Sequence, residues 1–176
     1  MKTLLGIAVV AMIFSISAVA DEDGRWLPDL GVSFPNAAVM GSNGVTLVAK
    51  CDQVSDPVYL RFIFLEKIPA LPAVGELHPL LAYFGDQSIG TKAFTAIVTG
   101  NDALDMPPSG RLNSPIDVSG AEEFLLDLVG AKRADISVPE PSLNQNFEFA
   151  IPNLDGQKAI QELYEECAGS RPWRPY

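Results

Sequence analysis

The sequence has little of the chemistry that most enzymes use. It contains one histidine and two cysteines among 176 residues. It contains no Gly-x-Ser-x-Gly motif and no glycine-rich phosphate loop, which mark many serine hydrolases and nucleotide-binding proteins. One histidine and two cysteines are also too few for the common zinc sites. We therefore predict no catalytic residues, no metal site and no cofactor.

The single histidine, His78, lies in a proline-containing segment. We interpret it as a loop residue whose ring is solvated or bonded to the backbone. A role as an acid or base is the alternative, because imidazole titrates near neutral pH.

Basic residues are also scarce. Lysine and arginine number 12 against 22 aspartate and glutamate residues, so the formal net charge is -10. Binding to nucleic acid needs clustered positive charge to neutralise phosphates, so the composition argues against it. An acidic surface instead favours basic partners.

The first 20 residues have the features of a signal peptide. Lys2 is followed by an apolar run over 4–16, and Ala18-Val19-Ala20 has the small-x-small pattern that signal peptidase recognises. The apolar run is too short for a membrane-spanning helix, and no comparable run follows. We predict export to the periplasm or the medium, with no membrane span.

Export places the two cysteines where disulfides form and persist. We predict a bond between Cys51 and Cys167, and two free thiols are the alternative. The spacing of the cysteines matches neither a Cys-x-x-Cys redox motif nor a zinc site.

The alternation of apolar and polar residues predicts a mainly β protein. Alternation typical of strands recurs over 45–51, 58–64, 80–84, 92–99, 134–138 and 146–151. Proline and glycine predict loops over 67–79 and 100–115. We expect the first two strands to form a hairpin and the third and fourth to form another pair.

Two helices are predicted late in the chain. Ser119 and Glu122 have capping-box spacing before a helix over 120–132. Asn153 or Asp155 can cap a second helix that carries Cys167 on its apolar face. The predicted fold class is α+β, an antiparallel β-sandwich or half-barrel of about six strands, with the C-terminal helix tied to the sheet by the disulfide.

These features divide the chain into four parts. We predict a signal peptide over 1–20, an irregular N-terminal arm over 21–43, a single globular domain over 44–169 and a C-terminal tail over 170–176.

The tail is basic and aromatic, unlike the rest of the chain. Its Trp173, Arg174 and Tyr176 are candidate interaction residues, because tryptophan, tyrosine and arginine often anchor interfaces. The alternatives are that Trp173 folds back over the sheet or that the tail has no fixed structure.

Several features together resemble a group of small exported bacterial proteins. They are Trp26, the segment Val45–Cys51, the triplet Leu60-Arg61-Phe62 and the closing segment from Phe147 to Cys167. This ordering resembles proteins of the invasion-associated locus B type and periplasmic accessory proteins of type VI secretion. The resemblance implies a non-enzymatic envelope or secreted factor.

Three functions follow as hypotheses. The first is a non-catalytic exported interaction or accessory protein of the bacterial envelope, with an unidentified protein partner and an unassigned oligomeric state. The second is an acidic inhibitor of a basic secreted hydrolase such as lysozyme, acting through loop 67–79 or 100–115. The third is a carboxylate-dependent hydrolase, for which Asp102 and Asp105 are the candidate residues.

Overall fold

The computed structural model describes residues 24–29, 35–51, 58–65, 71–85, 90–107, 120–140 and 145–167. The predicted signal peptide lies outside the described residues. So does the tail, with Trp173, Arg174 and Tyr176.

The described residues form nine strands in one antiparallel sheet, whose order is β1-β2-β3-β4-β7-β6-β5-β8-β9. The strands are β1 Leu27–Asp29, β2 Asn36–Met40, β3 Val45–Cys51, β4 Val58–Phe64, β5 Leu77–Phe84, β6 Thr91–Gly100, β7 Ala103–Met106, β8 Arg133–Glu140 and β9 Gln145–Pro152. The mainly β, antiparallel fold is therefore confirmed, as are the pairs β3–β4 and β5–β6. The strand count is nine rather than six.

The additional strands lie in segments for which the sequence predicts irregular structure. The predicted arm over 21–43 contains β1 and β2, and the predicted loop over 100–115 contains β7. All three are short, so alternation is hard to detect in them. Pro28 is tolerated in β1 because this strand lies at the edge of the sheet.

The sheet curls until its last strand approaches its beginning. Arg25 forms an isolated parallel bridge with Leu154, just beyond β9. Ser42, in the turn between β2 and β3, exchanges hydrogen bonds with Ala150 of β9. The result is a half-barrel with an inner face that packs on the core and an outer face.

Two helices cover the inner face, α1 over Ala121–Gly130 and α2 over Gly156–Glu166. Phe124 of α1 packs among three aromatic rings of the sheet, with ring centroids 5.8 Å from Phe62, 5.4 Å from Phe84 and 5.2 Å from Phe94. These edge-to-face contacts fix the helix in the centre of the half-barrel. Neither helix of the described residues has the length and apolar character needed to cross a bilayer.

The helix ends agree only in part with the predicted caps. The N-cap of α1 is Gly120, without a side-chain cap, and the backbone N–H of Ala121 donates to the Pro107 carbonyl at 2.8 Å. The N-cap of α2 is Asp155, one of the two predicted residues, although its side chain makes no capping hydrogen bond. Asn153, the other candidate, does not cap α2. Its side-chain amide donates to the carbonyls of Leu128 at 2.6 Å and Ala131 at 2.8 Å, so it satisfies the end of α1 instead.

The predicted disulfide is confirmed. Cys51 ends β3 and Cys167 follows α2, and their Cα atoms are 5.8 Å apart. The bond links the C-terminal helix to the sheet across 116 residues of sequence. Both cysteines are buried, so the linkage is part of the core.

Candidate functional site

The outer face of β5 is unusually apolar. Leu77, Leu81 and Tyr83 are 48%, 37% and 47% exposed, and Pro79 between them is exposed as well. We call these four residues the β5 stripe. An outer strand position normally carries a polar side chain because it faces water. The β5 stripe is therefore a candidate contact surface.

Two grooves lie on the outer face, and the first of them borders the β5 stripe. The first has a volume of about 480 Å³, and its lining includes Ser42, Leu81, Tyr83, Ser137, Glu148 and Ala150. The second has a volume of about 440 Å³ and is lined by Met40, Gly41, Ser42, Arg133, Ala150 and Pro152. Ser42 and Ala150 line both grooves, so the two adjoin, and we call them together the trough.

The register of the sheet sets the direction of the trough. Tyr83 pairs with Asp135 of β8, and Asp135 pairs with Ala150 of β9. Ala150 in turn contacts Ser42. Since paired residues lie side by side on one face, this row runs across the strands. The trough therefore crosses β5, β8 and β9 and reaches the β2–β3 turn.

The β2–β3 turn forms the far wall of the trough. Its Asn43 and Gly44 both have positive φ, 56° and 68°, and Val45 N donates to Ser42 O at 3.3 Å. These are the features of a type I′ turn, for which Asn-Gly is a favoured sequence. The same two residues are a hairpin signal in the sequence, which the prediction of an irregular arm over 21–43 did not take into account.

The turn is held tightly against β9. Ser42 N donates to the Ala150 carbonyl at 2.9 Å, and Ala150 N donates to Ser42 Oγ at 2.8 Å. The Asn43 side-chain amide donates to the Glu148 carbonyl at 2.7 Å. A Cβ at Gly41 would lie 2.5 Å from the Ala150 carbonyl oxygen, so this approach requires glycine. The far wall is therefore fixed by hydrogen bonds between the backbone and side chains of the turn and the backbone of β9.

The polar groups of the trough are unequally satisfied. Arg133 donates to Asp135 through Nε at 3.1 Å and Nη2 at 3.0 Å, so these two charges compensate each other. Glu148 is exposed, and none of the ion pairs among the described residues uses its carboxylate. The trough thus has one uncompensated negative charge.

The structure places His78 differently from our prediction. It lies in β5 rather than a loop, points to the inner face and is 3% exposed, and its Nε2 has no hydrogen-bond partner. Pro79 did not prevent the strand. If the β5–β8 register continued past Leu81 and Ser137, Pro79 would face Pro139, and the ladder ends at that point. Because neither proline has an N–H to donate, β5 pairs with β6 but not with β8 at Pro79.

The structure does not bring Asp102 and Asp105 together in a pocket. Asp105 lies on the outer face of β7 and accepts two hydrogen bonds from Arg61 of β4, at 2.7 Å from Nε and 2.6 Å from Nη2. The hydrogen bonds that Arg61 donates to Asp105 raise the pKa of Arg61 against the opposing effect of burial. Asp102 is exposed in the turn before β7. The carboxylate of Asp105 is thus engaged in an ion pair that joins β7 to β4.

A second charged cluster lies at the rim of the inner face. Lys92 of β6 contacts Glu123 at 3.1 Å and Asp127 at 2.6 Å, both in α1. Burial lowers the pKa of Lys92, but the hydrogen bonds to the two carboxylates outweigh this and raise it. Because it joins α1 to the sheet, we interpret the cluster as structural.

Within the described ranges, no group of three or more histidine, cysteine, aspartate or glutamate residues has the arrangement of a metal site. Comparison of the chain with protein-family models, with curated proteins and with solved structures found no match. The functional interpretation therefore depends on the trough and the β5 stripe.

Proposed function

We propose that the protein is a non-catalytic, exported binding protein that engages a protein partner through the β5 stripe and the trough. The observation that carries this proposal is the row of exposed apolar side chains on the outer face of β5. Contact with a partner would remove Leu81 and Tyr83 from water, which is favourable by about 25 cal/mol for each Å² of apolar surface buried.

The form of the surface supports binding rather than catalysis. The trough is an open depression on a sheet face, whereas catalytic sites commonly exclude water to strengthen electrostatic interactions. Asp135 and Glu148 both line it, but Asp135 is already engaged by Arg133. Glycoside hydrolysis needs a pair of carboxylates, and here only that of Glu148 is outside an ion pair, so we favour the binding function.

The rigidity of the surface also supports binding. The trough rests on three paired strands and on the β2–β3 turn, which is fastened to β9 by three hydrogen bonds. A surface fixed before binding loses less conformational entropy when a partner docks. We place the protein in the bacterial envelope or the medium, in keeping with its predicted export.

The proposal is tested by site-specific crosslinking in bacteria that express the protein. A photoreactive phenylalanine analogue replaces Tyr83 in one variant and Val74 in the matched control. Val74 is 66% exposed and apolar but does not line the trough. We expect position 83 to capture a defined protein that position 74 does not, and the double variant Leu81→Ser, Tyr83→Ser to lose the same protein in an affinity capture.

Equal products from positions 74 and 83, or none from position 83, would contradict the proposal. A Val74→Ser variant, which leaves the trough intact, should retain the captured protein. Circular dichroism of each variant shows whether it is folded.

A further inference from the structure

We propose that the trough accepts an extended, positively charged segment of the partner protein, with apolar side chains on both sides of the positive charge. This inference rests on the proposed function, since it names the chemistry of the partner at the same surface. Three properties of the trough carry it: its length, its apolar ends and its uncompensated carboxylate.

The length of the trough suits an extended segment. From Tyr83 through Asp135 and Ala150 to Ser42 there are three inter-strand steps. Neighbouring strands are about 4.8 Å apart, so the row spans about 14 Å. An extended chain advances about 3.3 Å per residue, and four or five residues therefore fill the trough.

The two ends of the trough are apolar. Leu81 and Tyr83 stand at the β5 end, whereas Met40 and Pro152 stand at the β2 end. Met40 is 37% exposed, so its side chain is also available for contact. Apolar side chains near the ends of the segment would cover these residues.

The charge of the trough selects a positive partner. Arg133 and Asp135 compensate each other in the middle, which leaves Glu148 as the charge available to a ligand. The net charge of -10 adds a long-range attraction for cationic proteins and repels acidic ones. A lysine or arginine between two apolar residues would place its charge near Glu148.

The test uses two capped pentapeptides, Leu-Pro-Arg-Pro-Leu and Leu-Pro-Glu-Pro-Leu, titrated into ¹⁵N-labelled full-length protein. The prolines keep both peptides extended, and only the charge differs. We expect the arginine peptide to shift the amide resonances of Tyr83, Ser137 and Glu148, with weak affinity that falls as salt rises. The glutamate peptide should bind at least about threefold more weakly.

Glu148 is tested by charge removal and charge reversal. We expect Glu148→Gln to weaken binding of the arginine peptide about two- to fivefold, as for an exposed ion pair, and Glu148→Lys to reverse the preference between the peptides. Glu166→Gln is the matched control, because Glu166 is an exposed glutamate of α2 that does not line the trough. The ¹⁵N spectrum of each variant verifies its fold.

The possible failures are distinguishable. Equal binding of both peptides in the trough would overturn the preference for positive charge and leave the binding surface standing. If neither peptide shifts trough resonances while position 83 still captures a partner, the extended cationic segment is the wrong ligand. Concentration-dependent shifts of the same resonances without peptide, together with a dimer in sedimentation, would identify a second copy of this chain as the occupant and overturn the inference.

Discussion

The two faces of β5 have similar hydrophobicity and opposite surroundings. The inner residues, His78, Leu80, Ala82 and Phe84, are all buried, whereas the outer residues, those of the β5 stripe, are all exposed. Burial explains the apolar residues on the inner face. It does not explain those on the outer face, so the comparison separates residues that stabilise the fold from residues available to a partner.

The neighbouring strand β8 emphasises this difference. Its outer residues include Arg133 and Asp135, the polar pattern expected where one face of a sheet meets water. The same sheet thus follows the ordinary rule at β8 and departs from it at β5. Substitutions on each face of β5 can establish whether stability and binding separate between them.

The largest expected effect is on the inner face, at Phe84. Its ring centroid lies 5.4 Å from that of Phe124 and 6.2 Å from that of Phe94. Phe84→Ala would leave a cavity beneath α1, and we expect it to lower the free energy of unfolding by about 3 to 5 kcal/mol. Urea denaturation followed by circular dichroism measures this. A loss below about 1 kcal/mol would mean that the aromatic cluster does not hold α1 on the sheet.

The disulfide should have the next largest effect. Replacing Cys51 and Cys167 together by alanine frees the chain end of α2 from β3. We expect the free energy of unfolding to fall by about 3 kcal/mol, chiefly because the unfolded chain is no longer constrained. Urea denaturation of the oxidised wild type, the reduced wild type and the double variant measures this, and the two forms without the bond should agree. Equal stability of all three would show that the linkage contributes nothing.

Much of the half-barrel could be predicted from the sequence because its long strands alternate clearly. The alternation of Val45, Leu47 and Ala49 with less buried residues predicted the correct bounds of β3. The disulfide was predictable because the chain has only two cysteines and the features of an exported protein. The segments that were missed, β1, β2 and β7, have three to five residues each. At that length, pairing with neighbouring strands decides the structure, and local pattern does not.

The trough could not be predicted for a different reason. Tyr83, Asp135 and Ala150 come from three strands, and only the sheet order β5-β8-β9 brings them into one row. The strand order was not predictable from local periodicity. One part was accessible: Asn43-Gly44 is a hairpin signal that would have indicated β2 and the wall of the trough. The inward position of His78 was not predicted either, because Pro79 and the other prolines suggested a loop.

A smaller effect concerns alkaline pH and Tyr164, a buried residue of α2. Burial, followed by the charge of Glu122, raises the pKa of Tyr164 above its ordinary value of 10.0. As the pH rises, the Tyr164 hydroxyl therefore loses its proton in the unfolded state before it does so in the folded state. The stability that depends on the protonated hydroxyl is fully present below about pH 10 and is lost as the pH rises above it. We expect the wild type to lose about 1 kcal/mol more than Tyr164→Phe between about pH 9 and 11. Parallel pH dependence of the two proteins in urea denaturation would contradict this.

The smallest expected effect on stability is on the outer face, at Tyr83, although its effect on binding should be the largest. Tyr83 is 47% exposed and pairs with Thr91 and Asp135 across the sheet. We expect Tyr83→Ser to change the free energy of unfolding by no more than about 0.5 kcal/mol, because the half-exposed side chain lies outside the hydrophobic core. The same variant should weaken capture of the partner at least about tenfold, since tyrosine is among the residues most often found as interface hot spots. We expect the opposite result for Phe84→Ala, the substitution at the next residue. Under conditions where this variant remains folded, its stability should be lower but its capture of the partner should be unchanged. Urea denaturation measures the stability of both variants, and affinity capture measures their binding. If Tyr83→Ser is strongly destabilised, or binds as well as the wild type, the two faces of β5 do not separate stability from binding.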